Sequence, residues 1–230
     1  MELLKLLTID MNLIIIINAG GSLPAALLTI RRKGVITPII KMNEYKVLIL
    51  FGESAVGKDT CLKEIIKTDD KNIFNKMVRC TTRPPREGEI DGKDYFFLTP
   101  ADFAQQVLNG QMLNATCFNG WHYGTPIYTL EKDKINIGED NIFGIQCLLE
   151  DPHIDLKTLR IKASDKTRLL RSLNREQNPD CIEVCRRFLA DKKDFLDAAD
   201  YANFVYSTED KKISLATIIQ NIQKSWQDNE

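Results

Sequence analysis

The sequence predicts an α/β fold with a mainly parallel central sheet, and two observations carry that prediction. Residues 46–51 (KVLILF) form a continuous apolar run, which is typical of a strand buried on both faces of a parallel sheet. Beyond this run, strand-like segments alternate with helix-like segments, which is the pattern of βαβ units. We therefore expect one sheet with helices on both of its faces.

Each element is predicted from a local pattern of residues. Short apolar runs bounded by turn residues predict strands at 46–51, 77–80, 95–98, 112–118, 141–149, 156–163 and 202–206. Helical spacing of apolar residues predicts helices at 60–67, 99–110, 165–175, 180–198 and 211–227. Thr99 caps its helix with a hydroxyl, and Asp180 forms a capping box with Glu183. A hairpin is expected across Asn119-Gly120.

Composition limits the classes of protein to consider. The chain has 230 residues, 43% of them hydrophobic, and a net charge of −1. That suits one globular domain and argues against a general nucleic-acid binder, which needs surplus positive charge. Six cysteines without a Cys-x-x-Cys pair, and only two histidines, argue against a zinc site. We expect Cys181 and Cys185 to be small buried side chains, and the protein to work in the reducing cytoplasm.

Residues 1–41 are predicted to be an N-terminal extension of unknown role, and residues 42–230 to be the main domain. Residues 11–30 carry no charge and approach the length of a membrane span. Polar residues, glycines and a proline interrupt them, so we expect a loosely docked extension and no anchor. A membrane-tethered form stays open as an alternative. No basic region precedes the apolar run, which argues against a signal peptide.

The stretch GESAVGKDT has the pattern of a loop that binds phosphate. Glycines at such a turn let backbone N–H groups converge on phosphate oxygens, and the following helix adds its positive N-terminal end. Lys58 is expected to reach the β- and γ-phosphates of a nucleotide. The predicted ATP-binding residues are Gly52, Glu53, Ser54, Ala55, Val56, Gly57, Lys58, Asp59 and Thr60.

Asp59 stands where such loops usually have Ser or Thr. A carboxylate is itself a good magnesium ligand, and Thr60 supplies a hydroxyl one residue later. We therefore predict Asp59 and Thr60 as ligands of a Mg²⁺ ion that accompanies ATP.

Residues 81–97 (TTRPPREGEIDGKDYFF) contain a second candidate phosphate site. Arg83 and Arg86 flank two prolines that stiffen the backbone, so each guanidinium can donate paired hydrogen bonds to a phosphate. Tyr95 adds a hydroxyl donor. Taken alone, the segment also fits a solvated basic loop.

Together with the phosphate loop, this segment resembles the guanylate kinase family. Residues Thr81 to Tyr95 are similar to the family's Thr-Thr-Arg-x-Pro-Arg-x-Gly-Glu run and its Gly-x-Asp-Tyr segment, and Tyr123-Gly124-Thr125 is similar to its Tyr-Gly-Ser/Thr segment. The resemblance covers about residues 45–208. It implies a P-loop NTPase fold with a monophosphate-binding region at about 81–138 and a helical lid at about 165–198.

The resemblance also implies a role for each matching residue. The implied catalytic residues are Lys58, Arg171, Arg175 and Arg187, of which the arginines belong to the lid and stabilise the transferring phosphoryl group. The implied contacts to the accepting monophosphate are Arg83, Arg86, Tyr95 and Tyr123 at its phosphate and Thr125 near its base. Arg168 also lies on the lid helix, and we expect it on a solvated face.

The residues that read the base depart from the family pattern. Asn114 stands where the family has a glutamate that reads guanine, and Gly144 and Gln146 stand where it has an Asp-x-Asp pair at the end of a central strand. An amide can accept or donate, whereas a carboxylate only accepts, so Asn114 and Gln146 can bind guanine but also tolerate other bases. Ordinary polar positions are the alternative for both. We expect Asp59 to replace part of the missing negative charge.

The sequence therefore predicts a nucleoside monophosphate kinase that transfers the γ-phosphate of Mg–ATP to GMP or dGMP. One alternative is the same reaction on another (deoxy)nucleoside monophosphate. The other is a guanylate-kinase-like binding module without catalysis. Lys58 and the lid arginines favour the enzyme, and the departure from Asp-x-Asp favours the module.

Overall fold

A computed structural model describes residues 44–86, 88–118, 120–175, 178–210 and 212–227, and the backbone of strands at 5–8, 13–17 and 30–32. The strands are β1 (Lys5–Thr8), β2 (Leu13–Ile17), β3 (Ile30–Arg32), β4 (Tyr45–Phe51), β5 (Phe74–Lys76), β6 (Arg79–Thr81), β7 (Tyr95–Phe97), β8 (Met112–Phe118), β9 (Trp121–Pro126), β10 (Ile135–Glu139), β11 (Ile154–Lys162) and β12 (Phe204–Ser207). The helices are α1 (Lys58–Lys67), α2 (Pro100–Leu108), α3 (Ile142–Glu150), α4 (Asp165–Leu173), α5 (Cys181–Asp194) and α6 (Leu215–Gln227). The chain forms a larger unit, Asn43–Lys76 with Glu131–Glu230, and a smaller unit, Met77–Leu130 with Met1–Met42.

The larger unit is built on a parallel sheet with the strand order β12-β11-β4-β10-β5. The strand that precedes the phosphate loop, β4, lies at its centre, and its residues from Val47 to Phe51 are buried. Leu50 pairs with Glu139 of β10 on one side and with Leu159 of β11 on the other. The carboxyl ends of β4 and β10 therefore lie side by side, which brings Glu139 next to the start of the phosphate loop.

Helices cover both faces of this sheet, as predicted. On one face, Leu48 and Leu50 share a core with Leu62 of α1 and Ile222 of α6. Because side chains alternate along a strand, the buried Val47 and its neighbours of the same parity point to the opposite face. Helix α3 packs against β11. The predicted α/β fold with a mainly parallel sheet is confirmed.

The prediction of a strand at 141–149 is wrong, because this segment forms α3. The side chain of Asn141 accepts a hydrogen bond from the N–H of Gly144 at 2.9 Å and thereby caps the helix. The strand in this part of the chain is instead β10, which ends three residues before α3 begins. A continuous apolar run suits a buried strand and a buried helix equally, so the cap was the decisive signal.

The smaller unit contains a four-stranded sheet with the order β7-β6-β9-β8. Its β8–β9 hairpin is antiparallel, as predicted, and β6 pairs in parallel with β7. Thr99 caps α2, its hydroxyl accepting from the N–H of Asp102 at 3.1 Å, also as predicted. The predicted strand at 77–80 is replaced by two short strands, β5 in the larger unit and β6 in the smaller one.

Within the N-terminal extension, β1, β2 and β3 form an antiparallel sheet. The rest of residues 1–43 lies outside the described residues, so the expectation of a loosely docked extension stays a prediction. Among the helices that the structure describes, none combines the length and the apolar character needed to cross a bilayer.

The prediction that Cys181 and Cys185 are buried is also wrong. Both thiols are exposed on α5. Asp191 is the buried residue of that helix, so its inward-facing side contains a charged group where apolar side chains were expected.

Candidate active site

The phosphate loop has the backbone shape that anion binding requires. Gly57 has φ +106° at the position that caps α1, and Ala55 has φ +62° two residues earlier. Left-handed residues of this kind turn successive N–H groups toward one point, and α1 begins immediately afterwards at Lys58. A side chain at position 57 would be strained in this conformation, so the glycine is required by the turn.

Lys58 is folded over the loop that precedes it. Its Nζ donates to the carbonyl oxygen of Gly52 at 2.7 Å and to that of Glu53 at 3.1 Å. Burial lowers the pKa of Lys58 below its ordinary value, and the negative charge of Glu139 is the largest effect in the opposite direction. Lys58 therefore lies close to an acidic group, Glu139, that is not among the predicted site residues.

A cavity of about 550 Å³ opens over the loop within the larger unit. It brings together predicted loop and lid residues that are far apart in sequence. Its lining includes Lys58, Asp59, Thr60, Glu139, Arg175 and Arg187. A volume of this size falls in the range of small-ligand sites.

The prediction that Gly144 and Gln146 take the place of strand-end acids is wrong, because neither ends a strand. The strand beside β4 ends at Glu139, followed by Asp140. Glu139 lines the cavity, so negative charge is present at this edge of the sheet. Asp59 therefore has no missing charge to replace. The sequence signal for this acidic strand end was the pair Glu139 and Asp140, directly after the short run INIG.

Gly144 has a packing role instead. A Cβ atom at this position would lie 2.2 Å from the carboxyl carbon of Asp140, which is far inside contact distance. The Asp140 carboxylate is buried there and accepts from the N–H of Asn141 at 2.9 Å. Gln146 is exposed on α3 and donates to the hydroxyl of Tyr201 at 2.6 Å. The prediction that Gln146 reads the base assumed a position at the end of a strand, and Gln146 lies in a helix instead.

The predicted lid consists of α4 and α5. Asp180 caps α5 by accepting from the N–H of Glu183 at 3.1 Å, as predicted. Arg171 donates to the carbonyl of Val56 at 2.8 Å, and Arg187 donates to Glu183 at 2.7 Å. Hydrogen bonds from Arg186 and Arg187 lower the pKa of Glu183 to about 2, so the Glu183 carboxylate stays ionised at neutral pH.

The expectation that Arg168 lies on a solvated face is wrong. Its side chain is 3% exposed and forms an ion pair with Asp191 of α5. Its Nε donates to the backbone carbonyl of Ser54 in the phosphate loop at 3.0 Å. The spacing of Arg168 on α4 could not show this, because both of its partners are distant in sequence.

The smaller unit groups three of the predicted monophosphate residues. The guanidinium of Arg83 lies 5.5 Å from the centre of the Tyr95 ring, and that ring lies edge-on to Tyr123 at 6.3 Å. Pairing of β6 with β7 and β9 brings the two tyrosines together. Thr81 lies opposite both Phe97 and Tyr123, and Tyr95 lies two residues before Phe97 on the same face of β7.

Glu89, which is not among the predicted site residues, holds this arginine segment in place. Its two carboxylate oxygens accept from both terminal nitrogens of Arg83, at 2.8 and 2.9 Å, and from the N–H of Arg86 at 2.7 Å. The fork to Glu89 raises the pKa of Arg83 and keeps it charged. The side chain of Arg86 remains exposed.

Asn114 and Thr125 are direct neighbours in the β8–β9 hairpin. The carbonyl oxygen of the Asn114 side chain accepts from the N–H of Thr125 at 3.1 Å, and both residues are buried. The two predicted base contacts are therefore held together by one hydrogen bond.

The oxygen donors around the cavity suit a magnesium ion that also binds phosphate. In the described part of the chain, no cluster of three or more His, Cys, Asp and Glu side chains could hold a metal alone. Asp59, Thr60 and Glu139 nevertheless offer two carboxylates and a hydroxyl beside one cavity. Mg²⁺ is commonly bound by one or two carboxylates together with substrate phosphates.

Comparison with known proteins gives matches in sequence and in fold. Residues 44–151 match the family described as guanylate kinase. The guanylate kinases of Streptococcus pyogenes serotypes M3 (strain MGAS315) and M18 (strain MGAS8232) are each 42% identical over 106 residues, which are 46% of this chain and 49% of those proteins. The matched region thus spans about half the length of these curated relatives.

The crystal structure of guanylate kinase from Anaplasma phagocytophilum matches 82% of this chain and 89% of its own, with a TM-score of 0.50 and 19% identity. At this identity the match concerns the fold. The resemblance to the guanylate kinase family is confirmed over residues 44–151, and the fold of the chain is similar to that of this solved guanylate kinase.

Proposed function

We propose that this protein transfers the γ-phosphoryl group of ATP to GMP or dGMP. The cavity over the phosphate loop carries this proposal, because it is lined by Lys58, by Glu139 and by lid arginines. Such a set of charges serves phosphoryl transfer, in which catalysis consists mostly of positioning and electrostatic stabilisation.

The larger unit would hold ATP. The amides of the loop and the start of α1 bind the phosphates, and Lys58 neutralises charge on the β- and γ-phosphates. Arg175 and Arg187, which line the cavity from the lid side, stabilise charge on the transferring group. An oxygen of the acceptor phosphate bonds to the γ-phosphorus as the bond to ADP breaks, so no residue needs to act as a covalent nucleophile.

Asp59, Thr60 and Glu139 would hold Mg²⁺ together with the phosphates. When bound, the ion neutralises phosphate charge and orients the triphosphate. Glu139 extends the ligand set predicted from the sequence, and its place at the end of β10 fixes its backbone more firmly than a loop would.

The smaller unit would hold the monophosphate. Arg86 presents an exposed guanidinium, while Arg83 is oriented by Glu89 and lies near Tyr95 and Tyr123. The two arginines are expected to bind the acceptor phosphate with charge-assisted hydrogen bonds.

Asn114 supports a second candidate, the same reaction on another base. Its side-chain oxygen accepts from the N–H of Thr125, and an amide also carries N–H donors, which a carboxylate lacks. A base that presents acceptors is therefore tolerated here. The non-catalytic binding module loses its main support, because the strand end beside the loop is acidic after all.

All six cysteines are free thiols. This supports the further proposal that the protein works in a reducing compartment such as the cytoplasm.

The test is turnover of a panel of ribo- and deoxynucleoside monophosphates with Mg–ATP, measured as ADP formation. Lys58→Ala is the control, because it removes the charge over the loop and leaves the loop glycines in place. We expect turnover of GMP or dGMP by the unmodified protein only. Absence of ADP formation above the control for every acceptor would refute the kinase, whereas selective turnover of an adenine or pyrimidine acceptor would refute only the choice of guanine.

A further inference from the structure

Every polar group of Ser54 is bound by one pair of lid side chains. Its backbone N–H donates to Asp191 at 2.8 Å, and its hydroxyl donates to the other oxygen of the same carboxylate at 3.2 Å. Its carbonyl oxygen accepts from Nε of Arg168 at 3.0 Å. Arg168 and Asp191 also bind each other, so the three residues form a closed ring of hydrogen bonds.

The two charged side chains of this ring are buried, and all three of its residues line the cavity. Arg168 is 3% exposed and Asp191 is 8% exposed. The guanidinium of Arg168 lies over the ring of Phe188 at 4.9 Å, and Asp165 receives another of its N–H groups. Low exposure makes each of these interactions stronger than it would be at the surface, and makes the loss of one partner costly.

Two packed helices do not require a buried ion pair, since apolar residues of similar size serve as well or better. A backbone N–H, a hydroxyl and a carbonyl can be satisfied only by polar partners. The pair is therefore explained by what it binds in the loop and not by the contact between α4 and α5.

Ser54 occupies a sensitive position in the loop. It directly precedes Ala55, whose φ of +62° begins the turn that directs the loop amides toward the cavity. A non-glycine residue in this conformation is held there by its surroundings. Arg171 extends the same support by donating to the carbonyl of Val56 at 2.8 Å.

We propose that Arg168 and Asp191 are positioning residues that hold the phosphate loop in its curved form by binding Ser54, and that couple this form to the docking of α4 and α5. The loop then keeps its anion-binding shape only while the lid helices are docked. The consequence for ATP rests on the proposed function, whereas the consequence for the loop does not.

The test removes both charges together in the double variant Arg168→Met/Asp191→Ala, so that no unpaired charge is left buried. Lys192→Met is the matched control. Lys192 also joins the two lid helices, through Asp165 at 2.6 Å, but both side chains are about half exposed and no contact joins Lys192 to Ser54 among those described. Hydrogen exchange of the peptide over residues 52–60 is measured without nucleotide, beside thermal unfolding and calorimetric binding of Mg–ATP.

We expect exchange in residues 52–60 to accelerate by about tenfold or more in the double variant, through local opening, while its melting temperature stays near that of the control. Binding of Mg–ATP should weaken by a similar factor. Unchanged exchange in this peptide would overturn the proposal. If the double variant does not fold, Arg168→Lys decides on the same peptide, because lysine keeps a positive charge opposite Asp191 but lacks the Nε that donates to Ser54.

The two proposals fail separately. If the double variant shows faster exchange and weaker ATP binding, but the unmodified protein turns over no monophosphate, the positioning role is supported and the kinase is refuted. Normal exchange in a variant of an active kinase refutes the positioning role alone.

Discussion

Arg83 and Glu89 form a two-pronged ion pair, with both terminal nitrogens of the guanidinium bound to the carboxylate at 2.8 and 2.9 Å. Arg83→Lys should therefore lose the fork and raise KM for the monophosphate by about tenfold, which corresponds to one charge-assisted hydrogen bond of about 1.5 kcal/mol. Steady-state kinetics with varied GMP measures this. Arg86→Lys is the comparison, since an exposed lysine still offers a point charge and should have a smaller effect. Equal losses in both variants would contradict the distinct role of the fork.

The position of Glu139 beside the phosphate loop leads to a prediction about how activity depends on Mg²⁺. Glu139→Gln should raise the Mg²⁺ concentration for half-maximal activity by about tenfold or more, as the loss of a carboxylate near a bound metal commonly does. Asp59→Asn tests the residue that the sequence alone pointed to. A Mg²⁺ titration of each variant ranks the two carboxylates, and an unshifted titration for Glu139→Gln would remove it from the ligand set.

The burial of Lys58 leads to a prediction about how ATP affinity depends on pH. Its pKa is lowered by burial, so it should lose its proton, and with it part of the ATP affinity, below the pH at which an ordinary lysine titrates. The folded state releases this proton before the unfolded chain does, so the contribution of Lys58 to stability rises with pH across that window. Calorimetric ATP binding from about pH 7 to about pH 10 measures the loss of affinity. Lys58→Arg should bind with a flatter profile, because a guanidinium does not titrate there, and identical profiles would contradict the assignment.

The amide of Asn114 leads to a prediction about discrimination between bases. Asn114→Asp keeps an acceptor for the N–H of Thr125 but removes the donor, so discrimination in favour of guanine should rise by about tenfold, the worth of one hydrogen bond to a charged group. Ratios of kcat/KM for guanine and adenine monophosphates measure it. Asn109→Asp, at the end of α2 in the same unit, is the control. A ratio that does not change would place Asn114 outside the base site.

Gly144 makes a prediction about stability. Gly144→Ala should lower the free energy of unfolding by about 1 to 3 kcal/mol, the usual cost of overpacking, because the added Cβ would meet the Asp140 carboxylate at 2.2 Å. Denaturant unfolding measures the loss. In an Asp140→Ala background the same change should cost less, and equal costs in both backgrounds would show that the clash is relieved elsewhere.

The parts of the fold that could be predicted are those whose signals are local. The run before Gly52, the hydroxyl of Thr99 and the capping box at Asp180 each determine a structure within a few residues. The apolar run at 141–149 fits a buried strand as well as a buried helix, and the residue that distinguishes the two is the cap at Asn141.

The residues of the candidate site also separate into those with a local signal in the sequence and those without one. The loop, the arginine segment and the lid arginines carry patterns that residue type and spacing reveal. Glu139 could have been found as an acid at the end of a short apolar run. The partnership of Arg168 and Asp191 could not, because it joins two helices across 23 residues, and an arginine on an exposed-looking helix face gives no sign of burial.

The central place of β4 in its sheet has a consequence for how the protein is made. Residues of its two neighbours, β10 and β11, follow their partners in β4 by 89 and 109 residues, so a growing chain must expose VLILF until both have left the ribosome. Parallel pairing over such distances is slow, and an unpaired apolar strand is prone to aggregate. We therefore expect early translation arrest, or truncation before residue 162, to yield insoluble fragments, and the yield of soluble protein to depend on chaperones that shield this strand.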